Sequence, residues 1–218
     1  MSAILLVLSS PSGGGKTSIA RRLLERRADV GYSVSATTRP ARAGEVDGRD
    51  YHFLSRDEFQ RRVDGGQFLE WAEYGGHRYG TLRSVVDEQL AAGRHVVLDI
   101  EVEGARQVRR AVPSSVHVFV LPPSAQTLRD RLEGRRTESP EAIGRRLAIA
   151  ASEIAAAGEY DYLITNRVLD EAVATVSSIL DAEQCRTQRQ PALEERLAEL
   201  AEAVRIEAEQ ARTAGAAS

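Results

Sequence analysis

The stretch Ser10-Pro11-Ser12-Gly13-Gly14-Gly15-Lys16-Thr17-Ser18 has the residue types and order needed to hold a polyphosphate. Its run of glycines lets backbone amides curl around an anion with no Cβ in the way, and a helix beginning at the next residues aims its positive end at the same point. Lys16 is placed to reach the β and γ phosphates of a nucleoside triphosphate, and Thr17 to offer its hydroxyl to Mg²⁺. Lys16 is also the only lysine in the chain, every other basic residue being arginine. A compact point charge therefore stands only where a phosphate loop needs one, in a slot a forked guanidinium would not fit. The spacing G-x-x-x-x-G-K-[ST] puts glycine at position 10, where this chain has Ser10. Asp99 closes the apolar run Val96-Val97-Leu98, at the strand end where an α/β sheet presents ligand-facing groups, and its carboxylate suits Mg²⁺ or its waters. The triphosphate candidates are thus Ser12, Gly13, Gly14, Gly15, Lys16, Thr17 and Ser18, with Thr17 and Asp99 for the metal.

These groups need a scaffold, and the hydrophobic pattern supplies one. Ile4 to Leu8 is a short, branched, wholly apolar run, as expected of a strand covered on both faces in a parallel sheet. Similar runs lie at Val96 to Leu98, Val116 to Leu121 and Tyr162 to Ile164. Helical spacing falls between them at Leu82, Val85, Val86 and Leu90, at Leu128 and Leu132, and at Ile143, Leu147 and Ile154. Alternation of this kind predicts βαβ units with right-handed crossovers. Two stretches break the rhythm. Residues 33–93 mix strand-like pieces (Ser33-Val34-Ser35 and Tyr51 to Leu54) with glycine-rich turns and a helix whose Ser55 and Glu58 fit a capping box. Residues 125–158 are arginine-rich and helical, with Ser139 and Pro140 as N-cap and first residue of a helix, and read as a mobile cover.

Composition sets outer limits. The chain has 218 residues, 42% of them hydrophobic and 28% charged, with 29 basic against 32 acidic side chains and a net charge of −3. That fits one globular domain with small insertions and argues against extended disorder or bulk nucleic-acid binding. A lone cysteine, Cys185, forms no internal bridge and suggests a reducing compartment. No apolar run approaches the roughly 18 residues of a membrane helix. The opening run lacks a basic n-region and a cleavage site, so it reads as strand and not as a secretion signal, and the expected location is the cytoplasm.

Beyond the phosphate loop, the series Ser33 to Glu45, Gly48-Arg49-Asp50-Tyr51, Phe68-Leu69-Glu70-Trp71, Tyr79-Gly80-Thr81 and Asp99-Ile100-Glu101 resembles the guanylate kinase family from about Ala3 to about Arg186. The resemblance implies a P-loop NTPase three-layer α/β sandwich with a central parallel sheet, a small mixed α+β GMP-binding subdomain and a helical lid. It implies transfer of the γ-phosphoryl group of Mg·ATP to GMP, with ATP and GMP as partners and Mg²⁺ as cofactor. The domain spans 1–188, with core segments 1–32, 94–124 and 159–188, GMP subdomain 33–93 and lid 125–158.

The residues make chemical sense in those roles. Arg39 and Arg42, with Tyr51 and Tyr79, supply forks and phenols suited to a dianionic monophosphate. Glu70 can accept from N1–H and the 2-amino group of guanine, and Ser35 and Thr81 can serve O6 or nearby edge atoms. Adenine would leave Glu70 unpaired. By resemblance Glu101 approaches the guanine edge, Arg135 and Arg146 are the lid cations that reach the phosphates, and Asn166 lies near the adenine. Lys16, Arg39, Arg135 and Arg146 are then the catalytic set. Pro40, Glu103, Arg136 and Arg167 depart from the usual family pattern. His52, His77, His95 and His117 have no spacing for metal or triad chemistry, and Trp71 and Phe68 read as packing.

Two other readings compete. A related kinase of a phosphorylated sugar such as ribose bisphosphate would need loop and lid but no base-reading Glu70. A phosphopeptide-binding module would use Arg39, Arg42, Tyr51 and Tyr79 but needs no working phosphate loop. After Pro191, Leu193, Leu197, Leu200 and Val204 mark an amphipathic helix in a tail of residues 189–218. Its apolar seam is short, leaving packing on the domain or weak self-association open.

Overall fold

The computed structural model describes residues 2–133 and 140–216, so Arg135, Arg136 and Ser139, singled out above, lie outside the described residues. The chain divides into two compact units, Ala3–Leu180 and a smaller one made of Ser2 and the residues from Asp181 onward.

The larger unit is built on a parallel sheet of β1 (Leu5–Ser9), β2 (Val30–Tyr32), β7 (His95–Asp99), β8 (Val116–Leu121) and β9 (Tyr162–Thr165), in the order β2-β7-β1-β8-β9. All its pairings are parallel. The apolar run in β1 is buried on every position because alternate residues enter different layers. Leu6 and Leu8 join Ile19 and Leu23 of α1 (Lys16–Arg26) and Val173 and Val176 of α7 (Leu169–Gln184). Leu5 and Val7 face the other way, toward Val86 of α3 (Arg83–Ala91) and Ala105 and Val108 of α4 (Val102–Ala111). The sandwich is therefore helix, sheet, helix. Leu8 lies in register with Asp99, which brings the end of β7 beside the loop that follows β1. Neither α4 nor α7 is among the helical spacings picked out above, although Val102, Ala105 and Val108 carry the period.

A second sheet orders as β4-β3-β6-β5, from β3 (Ala36–Thr37), β4 (His52–Phe53), β5 (Phe68–Tyr74) and β6 (His77–Leu82). β3 pairs parallel with β4 and antiparallel with β6. β5 and β6 form a hairpin whose two-residue turn, Gly75-Gly76, has φ of 59° and 77°, as the right-handed strand twist demands. The strand expected at Ser33-Val34-Ser35 is instead the link between β2 and β3, because Val30 and Gly31 already take the edge of the parallel sheet beside β7. α2 (Arg56–Asp64) starts with half of the expected capping box: Ser55 Oγ accepts from Glu58 N–H at 3.1 Å, but the Glu58 carboxylate turns to Arg61 and Arg62. Phe59 stacks on Phe68 at 4.4 Å and Trp71 packs beside them, so Phe68 and Trp71 are packing residues as expected. α5 (Ala125–Glu133) and α6 (Pro140–Ala155) occupy the arginine-rich stretch.

In the smaller unit, Glu183 is buried and receives Arg186 at 3.1 Å and Arg189 at 3.0 Å. α8 (Leu193–Ala216) leaves Leu197, Leu200 and Val204 exposed. Among the described residues no helix is long and apolar enough to cross a membrane.

Candidate active site

The loop between β1 and α1 is shaped by glycine. Gly13 and Gly15 have φ of 89° and 100°, left-handed values that a side chain would strain. Gly14 N–H closes on the Pro11 carbonyl at 2.7 Å. Gly15 is the N-cap of α1 and no side chain caps the helix, so the first-turn amides keep their capacity for an anionic ligand. Ser10 fits where the motif has glycine because residue 14 lacks a side chain: a Cβ on Gly14 would fall 2.7 Å from Ser10 Cβ and 2.9 Å from its Oγ. Ser10 is buried and its hydroxyl donates to the Pro11 carbonyl at 3.0 Å.

Around this loop the structure gathers most of the residues expected on the donor side. Lys16 Nζ sits 2.7 Å from Glu101 Oε1. Glu101, expected near the acceptor base, is the N-cap residue of α4 and stands on the phosphate-loop lysine. Thr17 donates to Asp99 Oδ2 at 2.7 Å, and Tyr32 donates to Asp99 Oδ1 at the same distance. With its proton committed to Asp99, the Thr17 oxygen turns lone pairs outward. A hydroxyl and a carboxylate are hard oxygen donors, and two of them suit Mg²⁺ that arrives on phosphates and keeps several waters. No group of three or more His, Cys, Asp or Glu able to hold a metal is found among the described residues. Ser18, in the first turn of α1, is exposed.

The arginine-rich helices also touch the loop. Arg146 of α6 donates to Ser12 Oγ at 2.5 Å. Arg131 of α5 donates to the Gly14 carbonyl at 3.3 Å and to the Asn166 carbonyl at 3.3 Å, and Asn166 Nδ2 donates to the Gly14 carbonyl at 3.1 Å. Asn166 and Arg131 thus brace the loop backbone through the Gly14 carbonyl. Glu153, in the last turn of α6, accepts from Ser12 N–H at 3.2 Å. Its carboxyl is pushed up to about 7, first by burial and then by Glu101. Tyr32 and Glu153 escaped the sequence reading. Tyr32 lies in the strand piece next to an obvious run, and Glu153 looks like one more solvated charge on a helix of many.

Residues expected on the acceptor side collect on the mixed sheet. Glu70 of β5 is buried and cross-strand from Thr81 of β6, which donates to its Oε1 at 2.6 Å. Burial raises the Glu70 pKa against the opposing effect of Thr81. Its other oxygen lies against Gly104 of α4, where a Cβ would come within 2.9 Å. Gly80 is equally constrained, since a Cβ there would meet the Glu70 carbonyl and the Phe68 ring at 2.8 Å. Arg39 pairs with Glu45 at 2.8 Å and lies over the Tyr51 and Phe53 rings at 5.4 and 5.8 Å. Tyr51 and Tyr79 meet edge to face at 6.2 Å. Arg39, Tyr51 and Tyr79 therefore form one cluster. Arg42 stays exposed, its backbone N–H held by Glu45 at 2.7 Å, and the Ser35 carbonyl takes His52 N–H at 2.9 Å. His95 serves structure: its Nδ1 accepts from Ile4 N–H at 3.0 Å.

A family model described as guanylate kinase matches residues 2–183. The guanylate kinase of Symbiobacterium thermophilum is 50% identical over 85% of this chain and 88% of its own length. That of Desulfitobacterium hafniense is 47% identical over 86% of this chain and 94% of its own. The crystal structure of guanylate kinase from Anaplasma phagocytophilum superposes with a TM-score of 0.71 at 37% identity, covering 89% of this chain and 93% of that one. A glycine loop on the central sheet, a buried carboxylate on the mixed one and this likeness over residues 2–183 agree: the chain belongs to the guanylate kinase family.

Proposed function

We propose that the protein is an ATP:GMP phosphotransferase that moves the γ-phosphoryl group of Mg·ATP to GMP, giving ADP and GDP. The reading rests on Glu70, a buried carboxylate held by Thr81 in the same unit as a phosphate loop that carries the chain's single lysine. A sugar-phosphate kinase has no use for such a carboxylate, and a phosphopeptide module has none for Lys16.

Phosphoryl transfer of this kind needs positioning and charge neutralisation more than a protein nucleophile. In this reading residues 12–18 cradle the ATP phosphates, Lys16 takes their charge, and Arg146, with Arg135 of the segment outside the described residues, adds to it. Mg²⁺, bound with the nucleotide, would neutralise charge on the phosphates, and Thr17 and Asp99 would hold it. Asn166 fixes the loop and borders the adenine. On the acceptor side Arg39, Arg42, Tyr51 and Tyr79 bind the GMP phosphate. Glu70 accepts from N1–H and the 2-amino group, with Thr81 and Ser35 at the neighbouring edge. Glu101, between Lys16 and α4, stands where the two halves meet. Segments 1–32, 94–124 and 159–188 form the core, 33–93 the GMP subdomain and 125–158 a lid whose closure excludes water. The setting is the cytoplasm, in purine nucleotide metabolism.

ADP release measured with GMP, AMP, UMP, CMP and ribose bisphosphate as acceptors tests the proposal. Turnover with GMP far above all others is expected, and indifference to GMP would overturn it.

A further inference from the structure

Asp99 is held at both oxygens, and only one of its two partners belongs to the phosphate loop. Thr17 donates to Oδ2, while Tyr32 reaches in from β2 to donate to Oδ1, each at 2.7 Å. The end of β2 is fixed for this purpose. Tyr32 lies in register with Val97, two residues before Asp99, and Gln89 of α3 donates to the Tyr32 carbonyl at 3.0 Å. The Gln89 amide occupies the space over Gly31 so fully that a Cβ there would come within 1.8 Å of its Oε1. Tyr32 remains 41% exposed as a residue, so filling a core is not its main task. The hydroxyl donates to the carboxylate at 2.7 Å.

A carboxylate has about four lone-pair sites. With one oxygen bound to Thr17 and the other to Tyr32, its plane is set and the remaining lone pairs point in fixed directions. We propose that Tyr32 is a positioning residue of the phosphotransferase: its hydroxyl orients Asp99 toward the water shell of the nucleotide-bound divalent cation. The inference rests on the reading of Asp99 as the metal-side carboxylate. It assigns Tyr32 no contact with substrate; the residue acts through Asp99.

The test uses the full-length protein and measures ADP affinity with and without Mn²⁺, which isolates the gain that the metal confers. Tyr32→Phe keeps the ring and removes the donor. That gain is expected to fall about tenfold, as for other partners that orient a metal ligand, while affinity for ADP alone and the unfolding midpoint stay unchanged. In an Asp99→Asn background the same substitution is expected to add nothing, because the two act as one unit. If Asp99→Asn lowers the metal-dependent gain but Tyr32→Phe does not, the inference fails and the reading of Asp99 stands. If Tyr32→Phe weakens ADP equally with and without Mn²⁺, its role is structural and the inference fails again. If Asp99→Asn itself leaves the gain untouched, the metal-side reading falls and takes the inference with it.

Discussion

Lys16, the chain's only ammonium side chain, rests 2.7 Å from the Glu101 carboxylate, with the lysine mostly covered and the glutamate 62% exposed. An ion pair open to water on one side is worth about 1 kcal/mol or less, a factor of roughly five. Glu101→Gln is therefore expected to change ATP affinity by no more than about fivefold. Lys16→Ala removes the only compact cation at the phosphates and is expected to lower kcat by about a hundredfold or more, the scale of losing one preorganised charge donor. Steady-state kinetics on both variants decides it. A Glu101→Gln loss as large as that of Lys16→Ala would mean that the carboxylate itself touches substrate.

Glu70 should govern base choice. Glu70→Gln replaces an acceptor oxygen with an NH₂ donor facing guanine N–H groups, and preference for GMP over AMP is expected to collapse by about 10²-fold or more. The KM for ATP should not move. The pH dependence carries two signs. Burial raises the Glu70 pKa above its ordinary 4.5, so the folded state binds a proton that the unfolded chain has released. Its contribution to stability thus declines as pH climbs from 4.5 through the raised value. GMP binding needs the charged form and strengthens over the same interval. Glu70→Gln should flatten both profiles, measured by thermal unfolding and by GMP titration.

Glu153 gives a second pH-dependent contact, between α6 and the phosphate loop. Its pKa is raised to about 7, with burial the larger cause and Glu101 the next. A raised acid binds its proton more tightly when folded, so stability is lost as pH climbs from 4.5 toward 7 and levels off above that. Glu153→Gln imitates the protonated form. The difference in unfolding midpoint, variant minus parent, is expected to widen in the variant's favour up to about pH 7 and then stay constant. A difference independent of pH would show that the carboxyl titrates in its ordinary range.

Ser10 and Gly14 should prove coupled. Gly14→Ala alone drives a methyl into Ser10 Cβ and Oγ and into the Pro11 carbonyl, all within 3 Å. Nucleotide affinity is expected to fall about tenfold or more, since the loop amides must shift to relieve the overlap. Adding Ser10→Gly removes the side-chain part of the clash and should recover part of the loss, leaving the Pro11 contact. Purely additive effects in ATP titrations of the two single variants and the double would refute the coupling.

Strand runs such as Ile4 to Leu8 and Val116 to Leu121 were legible because a strand buried on both faces must be apolar at every position. The short β2 and β3 were not, since three or two residues give no period to read. The loop glycines and Lys16 were legible because local backbone geometry and a local charge do their work. Glu153 and Tyr32 were not, because each matters through a partner far along the chain, Ser12 and Asp99 respectively.

Sequence alone determined the strand, glycine loop, lysine and helix that the proposal assigns to the donor, because they are contiguous and can be read from order and spacing. It also marked Glu70, Arg39 and the tyrosines as a set through their ordered motifs. Only the tertiary structure decided who faces whom. It put Glu101 on Lys16, gave Asp99 a second donor from the sheet edge and used Asn166 and Arg131 to hold the loop. Those relationships span from 67 to 152 residues of sequence, and they arise because parallel pairing of β1 with β7 and β8 brings distant strand ends to one rim of the sheet.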